Sequence, residues 1–304
     1  MTDIAFDRNF ALKPGVIEEV APGVRRLLCD NPSPFTFKGT VTYIVGRGHV
    51  AIIDPGPDDP RHVAALLDAV RNETVTHIFV THTHADHSPA AAAVKAATGA
   101  VTLGEGPHRS ARPLHIGEAN RLEASADQDF RPDQALVDGE VVTGNGFAVE
   151  AVATPGHTAN HVAYALCGTG LLFSGDHVMG WNTSIVAPPD GAMSDYMASL
   201  DKLTRRPEQR YLPGHGGEIH EAQSYVHQYI AHRQAREAAI LGGLHTGAAS
   251  IPQLVQAIYV GLDPRLVGAA ALSVLAHLED LVTRGEVATE GPPALTSTYR
   301  LRRR

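Results

Sequence analysis

Residues 81 to 87 decide how this chain is interpreted, and they read Thr81-His82-Thr83-His84-Ala85-Asp86-His87. Three imidazoles and one carboxylate therefore follow directly after a β-rich segment, Val75 to Val80. Neutral imidazole and carboxylate are good ligands for zinc and similar divalent ions. Because four such side chains crowded at one loop have little packing value, this stretch predicts a metal site.

The spacing within this stretch predicts two metal positions. On an extended backbone alternate side chains point the same way, so His82 and His84 share a face. The dipeptide Ser88-Pro89 indicates that the chain then turns into a helix. We therefore expect His82 and His84 to face one ion, and Asp86 and His87 to face a neighbouring ion.

Two metal ions need further ligands, because a catalytic zinc ion takes about three protein ligands and keeps one position for water. Three later segments lie at strand ends or glycine turns, where the backbone can bend sharply. They are Thr154-Pro155-Gly156-His157-Thr158, Ser174-Gly175-Asp176-His177 and Leu212-Pro213-Gly214-His215-Gly216-Gly217. Histidine is common here, with 17 in the chain, so His157 or His215 alone would indicate little.

The ordered motifs H-x-H-x-D-H, P-G-H-T, S-G-D and P-G-H-G resemble the metallo-β-lactamase-fold hydrolase superfamily over roughly residues 20–220. The resemblance implies an α/β fold, an αββα sandwich with the metals at one edge of its two sheets. It implies metal ligands that divide as follows: His82, His84 and His157 for the first ion, and Asp86, His87 and His215 for the second. Asp176 matches the carboxylate that bridges both ions, and Asp54 matches an aspartate that supports the ligand loop.

The same resemblance implies a cofactor and a mechanism. The expected cofactor is two Zn²⁺ ions, with Mn or Fe as alternatives. Two ions about 3.5–4 Å apart lower the pKa of a bridging water and yield a hydroxide that attacks phosphorus or a carbonyl carbon. Asp86 is the candidate catalytic residue, because it would orient this nucleophile while it holds the second metal. Cys29 and Cys167 lie in no nucleophile motif and are expected to be core residues.

The identity of residue 176 separates branches of the superfamily, whose true β-lactamases typically carry Cys or Ser there. The motifs around Asp176, Pro188-Pro189-Asp190-Gly191 and Asp195-Tyr196-Met197 resemble the lactamase-like endoribonuclease branch. That resemblance implies phosphodiester hydrolysis in single-stranded RNA. Related fungal members look like thioesterases, so a small-molecule ester or thioester is the alternative substrate, including glyoxalase II-like hydrolysis of hydroxyacylglutathione.

Other functions stay open at this point: β-lactam hydrolysis, metal-stabilised binding without catalysis, and one-iron oxygen chemistry like that of the persulfide dioxygenase branch. An endoribonuclease needs a basic path to the metals, whereas a thioesterase needs an apolar or carrier-sized cleft. Four side chains flank the ligand motifs and are candidates for the substrate pocket: His161, His177, Trp181 and Tyr196. An exposed aromatic side chain in the segment Phe35-Thr36-Phe37 could stack on an RNA base. The aromatic content is only 6% and no basic, aromatic-rich stripe is present, which weakens the RNA hypothesis.

The composition changes near His232 and divides the chain into a catalytic domain, 1–230, and a smaller domain, 231–304. Three predicted helices, Ala235 to Leu244, Ile251 to Tyr259 and Pro264 to Arg284, precede a predicted hairpin, which is the winged-helix pattern. Residues 231–304 contain eight Arg, no Lys and six acids. We therefore expect this domain to serve packing or homodimer formation rather than DNA binding.

The composition limits the expected partners and compartment. Since 25 Lys and Arg stand against 33 Asp and Glu, the net charge of −8 gives no general attraction to nucleic acid or anionic membranes. The acidic start, Met1 to Asp7, lacks the features of a signal peptide. The longest nearly apolar stretch, Leu266 to Leu278, is shorter than the roughly 20 residues of a membrane span. We predict a soluble, cytoplasmic protein with no membrane partner.

Overall fold

Two β-sheets packed face to face form the centre of the computed structural model, which describes residues 4–116, 118, 120 and 125–302. The first sheet has seven strands that lie side by side in chain order. They are β1 (Ile17–Ala21), β2 (Val24–Leu28), β3 (Val41–Arg47), β4 (His49–Ile53), β5 (Thr74–Phe79), β6 (Val101–Gly104) and β7 (Gln134–Ala135). Strands β1 to β4 are antiparallel, and β4 to β7 are parallel.

The second sheet has five strands in the order β12-β11-β10-β9-β8. They are β8 (Val141–Gly144), β9 (Phe147–Ala153), β10 (Val162–Leu166), β11 (Leu171–Gly175) and β12 (Arg210–Pro213). Strands β11 and β12 are parallel. Because parallel neighbours need a crossover connection, helix α3 (Met193–Leu203) runs between them on the outside of the sheet.

The core lies in three layers around these sheets. Between them, large side chains from both inner faces pack together, including Tyr43, Phe79, Phe147 and Tyr164. Helices α1 (Pro60–Ala69) and α2 (Ala90–Thr98) cover the outer face of the first sheet. Helix α3 and the first half of α4 (Ala222–His245) cover the second sheet. The predicted αββα sandwich is therefore confirmed.

The two cysteines differ in their surroundings. Cys29 is buried after β2, as expected for a core residue. Cys167 is exposed at the turn that follows β10, so its prediction as a core residue is wrong. Its backbone N–H still pairs with the Ala148 carbonyl at 2.9 Å, which places the residue at the end of the strand and outside the packed interior.

The C-terminal part contains α5 (Ile251–Ile258), α6 (Val267–Thr283) and a three-stranded sheet of β13 (Ala249–Ser250), β14 (Val287–Thr289) and β15 (Thr298–Leu301). Ser250 caps α5 through a capping box with Gln253. The hairpin of β14 and β15 packs with α4, α5 and α6 around a separate apolar core. This arrangement confirms the predicted winged-helix-like domain.

Helix α4 begins at Ala222 rather than at the predicted Ala235. Its additional turns bury Val226, Tyr229 and Arg233 on one face. Because a polar Arg occupies one of the helically spaced positions on this face, the periodic pattern of apolar residues does not reveal the start of the helix. The predicted boundary after residue 230 falls inside α4, whose two halves join different cores, and that boundary stays a prediction.

Helix α6 needs separate comment because residues 264–283 are long and apolar enough, by length and composition alone, to cross a membrane. Half of the most apolar part of this segment is buried inside the protein. The buried side chains of α6 extend from Ala270 to Leu281 and form the centre of the C-terminal core. Core helices of globular domains share this composition.

Candidate metal centre

The loops that carry the predicted ligands meet at one edge of the sandwich. Residues 81–87 follow β5, residues 154–161 follow β9, and residues 176 and 213–217 follow β11 and β12. Backbone hydrogen bonds join the two sheets there: Val162 N–H donates to the Thr81 carbonyl at 2.8 Å, and Val41 N–H donates to the Gly214 carbonyl at 2.8 Å. Segments distant in the chain are thus held around one centre.

The first group of predicted ligands consists of His82, His84 and His157. The Nδ1 atom of His84 lies 3.0 Å from His82 Nε2 and 3.0 Å from His157 Nε2. One nitrogen from each of the three rings lies within 4.8 Å of the others. Three imidazole nitrogens in this arrangement form the protein side of a three-ligand zinc site.

The second group consists of Asp86, His87 and His215. Asp86 Oδ2 lies 3.4 Å from His87 Nε2 and 3.2 Å from His215 Nε2. Asp176 lies between the two groups, because its Oδ2 is 3.3 Å from His215 Nε2 and 3.8 Å from His157 Nε2. The structure therefore brings all seven predicted ligands together, in the two groups that the motifs implied.

Two buried, unpaired atoms at this centre show that the site suits a metal ion. His87 Nε2 and Asp176 Oδ1 are buried and have no hydrogen-bond partner, although they lie 3.5 Å apart. Leaving such atoms unpaired costs free energy. A divalent cation between them would satisfy both, and a set of five imidazoles and two carboxylates suits zinc.

Contacts behind the ligands fix their orientation. Asp54 accepts hydrogen bonds from Thr81 N–H and the Thr81 hydroxyl, both at 2.7 Å, and from His87 Nδ1 at 2.9 Å. His157 Nδ1 donates to the Ile185 carbonyl at 2.6 Å, and His215 Nδ1 donates to the Gly39 carbonyl at 3.1 Å. Because Nδ1 is engaged in these three rings, Nε2 is the nitrogen left to face the centre.

Glycines beside the ligands allow the close approach that the motifs suggested. A Cβ at Gly214 would lie 2.6 Å from Asp176 Oδ1 and 2.6 Å from His87 Cε1. Gly156 has a φ of 136°, and a Cβ there would meet the backbone of Tyr196 at 2.3 Å. A larger residue at either position would displace a ligand or its support.

The pKa values of the imidazoles differ between the first and the second ligand group. Burial, with repulsion from neighbouring imidazoles, lowers the pKa of His84 to about 3 and lowers that of His82 well below its usual value. Burial opposes protonation of His215 too, but Asp176 and Asp86 raise its pKa to about 10. The His84 side is therefore neutral and ready to bind metal, whereas a metal at the His215 side must displace a proton.

The two carboxylates stay charged in this setting. Burial alone would raise their pKa values, but the adjacent imidazoles of His87 and His215 hold the pKa of Asp86 and of Asp176 well below the ordinary value. Both side chains are therefore anionic near neutral pH, as metal coordination requires.

Three of the expected pocket residues lie behind the ligands instead. His161 accepts the Asp176 N–H at 3.3 Å and bonds Thr154 Oγ1 at 2.8 Å, so it supports the predicted bridging carboxylate. His177 is fully buried, with its ring 4.5 Å from that of Tyr196. Neither His177 nor Tyr196 lines the cleft described next.

A cleft of about 480 Å³ opens above the ligands. Its remaining lining residues are Ser33, Phe35, Thr36, Ala85, Ser125, Met179, Ile185, Ala187, Ala269 and Leu272. Phe35, the candidate for stacking on an RNA base, is 48% exposed at its mouth. Ala269 and Leu272 come from α6, so the C-terminal domain forms one wall. Sequence patterns missed these two residues, because an apolar residue on a core helix carries no sign that it faces a cleft.

Trp181, the fourth expected pocket residue, lies beside this cleft and does not line it. Its ring stacks on Phe37, with the ring centroids 4.9 Å apart. It is 9% exposed and lines a smaller cavity next to the cleft. Trp181 therefore supports the wall of the site through packing.

The polar segment 104–138 also reaches the site, since Ser125 lines the cleft. Arg112 in this segment pairs with Glu118 at 2.7 Å and with Glu279 of α6 at 2.5 Å. Residues 117, 119 and 121–124 of this segment lie outside the described residues. The Arg112 contacts tie the segment to the C-terminal domain.

Comparison with known proteins supports the same family. Residues 35–215 match the metallo-beta-lactamase superfamily, and residues 250–292 match the beta-lactamase associated winged helix domain. The chain is 34% identical over 288 residues to a beta-lactamase-like protein 2 homolog of Drosophila melanogaster, covering 91% of this chain and 93% of that one. It is 31% identical to an atrochrysone carboxyl ACP thioesterase of Aspergillus fumigatus, covering 80% of this chain and 75% of that one.

A solved structure has the same fold over nearly the whole chain. The metallo-beta-lactamase family protein of Thermus thermophilus superposes with a TM-score of 0.75 at 25% identity, covering 93% of this chain and 100% of that one. The match includes both the sandwich and the C-terminal domain. This chain belongs to the metallo-β-lactamase superfamily and is a metal-dependent hydrolase with an appended winged-helix domain.

Proposed function

We propose that this protein is a dinuclear zinc hydrolase that cleaves carboxylic esters or thioesters with an apolar acyl group. The observation that carries this proposal is the wall of the cleft above Asp86 and Asp176. Met179, Ile185 and Leu272 supply an apolar surface next to the charged centre. A site that combines an apolar pocket with a few fixed polar groups is typical of small-molecule binding.

The residues divide the chemical work between them. Zinc ions held by the seven ligands would supply Lewis acidity and an activated water near neutral pH. Thr40 Oγ1 donates to Asp86 Oδ2 at 3.0 Å and so fixes the carboxylate. The Asp86 side chain is 24% exposed, which lets its oxygens accept a hydrogen bond from the attacking water. The apolar walls hold the acyl chain and exclude other water molecules.

A thioester is favoured over RNA by the character of the cleft. Among the lining residues that the structure describes, none is Lys or Arg, whereas a bound phosphate backbone needs such cations. One relative is named as an acyl-carrier-protein thioesterase, which supports acyl transfer from sulfur to water in this family. Single-stranded RNA, the substrate predicted from the motifs, is the alternative outcome of the test.

The test is a substrate panel on purified protein with measured zinc content. Acyl thioesters of increasing chain length, single-stranded RNA and a β-lactam are compared at equal enzyme concentration. We expect turnover of thioesters that improves with chain length until the cleft is filled. Cleavage of RNA without thioester turnover would overturn the proposal.

Two variants test whether the measured activity comes from the site at Asp86 or from a contaminating enzyme. Asp86→Ala should lower kcat at least about 100-fold, because a positioned acid–base group typically contributes that much. Asp201→Ala is the matched control, since Asp201 lies on the surface of α3 and pairs only with Arg205 in the described contacts of its side chain. Equal activity in the two variants would contradict the role of Asp86.

A further inference from the structure

A second, smaller cavity adjoins the cleft where the two domains meet. Its volume is about 120 Å³. It shares four lining residues with the cleft: Phe35, Met179, Ile185 and Ala269. A molecule lying in the cleft could therefore extend one end into the smaller cavity.

Arg233 of α4 lines this cavity and is only 3% exposed. Its Nη2 donates to the Ser184 carbonyl, and its guanidinium lies 5.0 Å from the centre of the Tyr196 ring. Its Nε is buried without a hydrogen-bond partner. No carboxylate among the described residues forms an ion pair with it.

A buried guanidinium is expensive to leave unpaired, because it cannot lose its proton to become neutral. Proteins normally pair such a group with a carboxylate, and a carbonyl oxygen with an aromatic face replaces only part of that interaction. The unused Nε and the missing counter-ion both indicate that an anion belongs here. Arg is also the side chain best suited to bind carboxylate or phosphate through two parallel hydrogen bonds.

We propose that Arg233 binds an anionic group of the substrate, a carboxylate or a phosphate, while the acyl group lies in the cleft beside Asp86. This inference rests on the proposed ester or thioester hydrolysis and adds a charge requirement to it. The cavity volume equals that of about four water molecules at roughly 30 Å³ each, which accommodates either group. Asn182, Ser184 and Ser273 also line the cavity and offer polar atoms around the anion.

Paired substrates test the charge requirement and its source. One pair is 4-nitrophenyl hexanoate and the mono-4-nitrophenyl ester of glutaric acid, which ends in a carboxylate. The other pair is hexanoyl pantetheine and hexanoyl 4′-phosphopantetheine, in which the leaving group carries the phosphate. The proposal predicts that the native protein prefers the charged member of one pair through a lower KM, and that pair identifies the anion.

Arg233→Met should reduce that charged-over-neutral ratio of kcat/KM roughly 10- to 100-fold, the effect of losing a charge-assisted hydrogen bond. Arg205→Met is the matched control, since Arg205 is exposed just after α3, pairs with Asp201 at 2.6 Å and does not line the cavity. If Arg233→Met does not fold, Ser273→Asp places a carboxylate in the same cavity and should abolish the preference. An unchanged ratio in the folded variant overturns the proposal.

A binding measurement separates failure of this site from failure of the proposed function. Glutarate or inorganic phosphate should raise the Tm of the native protein more than that of Arg233→Met. If that difference appears while no ester or thioester is hydrolysed, the anion site stands and the proposed function fails. If esters are hydrolysed with no charge preference and no such difference, the function stands and the anion site is wrong.

Discussion

The metal ligands and the walls of the cleft share one cavity, but they come from different kinds of sequence. The ligands are buried or half-buried polar side chains at loops of the sandwich, and each has a definite partner atom or faces the centre. The walls are ordinary apolar residues, some of them from α6 of the C-terminal domain. The first region specifies the reaction, and the second specifies the molecule that enters. A superfamily can therefore keep one chemistry while its substrates change.

The largest effect should come from the residue that lies between the two ligand groups. Asp176→Ala removes a carboxylate that approaches both His157 and His215. We expect kcat to fall about 10³-fold or more, because the variant would hold zinc less tightly and lose the charge stabilisation that the metal supplies at the reacting oxygen. Elemental analysis beside the kinetic assay should show reduced zinc. Full zinc content together with native kcat would contradict the claim that the ligands specify the reaction.

A change behind the ligands should have a smaller effect. Asp54→Asn keeps the size of the side chain but weakens its acceptance of the His87 Nδ1 hydrogen bond. We expect zinc affinity to fall about 10- to 100-fold, as for other partners of metal-binding imidazoles. Competition with a chromogenic chelator measures this change. Asp59→Asn serves as control, because Asp59 caps α1 at the surface; equal affinity in both variants would contradict the supporting role of Asp54.

A change in the wall should alter substrate choice and leave zinc in place. Leu272→Lys puts a cation beside the acyl position, and we expect kcat/KM for an apolar thioester to fall roughly tenfold, in line with the loss of one buried apolar side chain. Val267→Lys is the control, since Val267 is exposed on the same helix. The measurement is the chain-length profile of each variant. An identical profile for both would show that α6 does not contact the substrate.

The smallest effect at neutral pH concerns a buried imidazole that lacks any partner. His277 in α6 is 2% exposed, neither ring nitrogen has a hydrogen-bond partner, and burial with nearby Arg233 lowers its pKa to about 3. Between pH 6.5 and about 3 the unfolded chain binds this proton and the folded chain does not, so the protein loses stability as pH falls through that window.

His277→Leu removes this dependence. The variant should lose less stability on acidification than the native protein does, by up to about 1.4 kcal/mol per pH unit within the window. Urea unfolding at several pH values measures the difference. Identical slopes of stability against pH would show that His277 is protonated in the folded protein.

The ligands at residues 82–87 were predictable because imidazoles and carboxylates clustered at one loop contribute little to packing and suit a metal ion. The other three, His157, Asp176 and His215, were assigned through the resemblance of the ordered motifs to a known family. The structure places all seven around one centre. The β3–β4 hairpin and the Ser250 cap follow from local signals, which are Gly46-Arg47-Gly48 between two β-branched runs and a serine just before Ile251-Pro252. The start of α4 at Ala222 and the role of Leu272 depend on tertiary packing instead. A leucine that fills a core and a leucine that faces a cleft look identical in a sequence.

The most direct test of the dinuclear centre is a crystal structure of the purified protein with diffraction data on both sides of the zinc absorption edge. We expect two anomalous peaks about 3.5–4 Å apart. One should contact His82, His84 and His157, the other Asp86, His87 and His215, with Asp176 reaching both. A single peak, or peaks away from these side chains in protein that is active, would contradict a two-zinc centre at this edge of the sandwich.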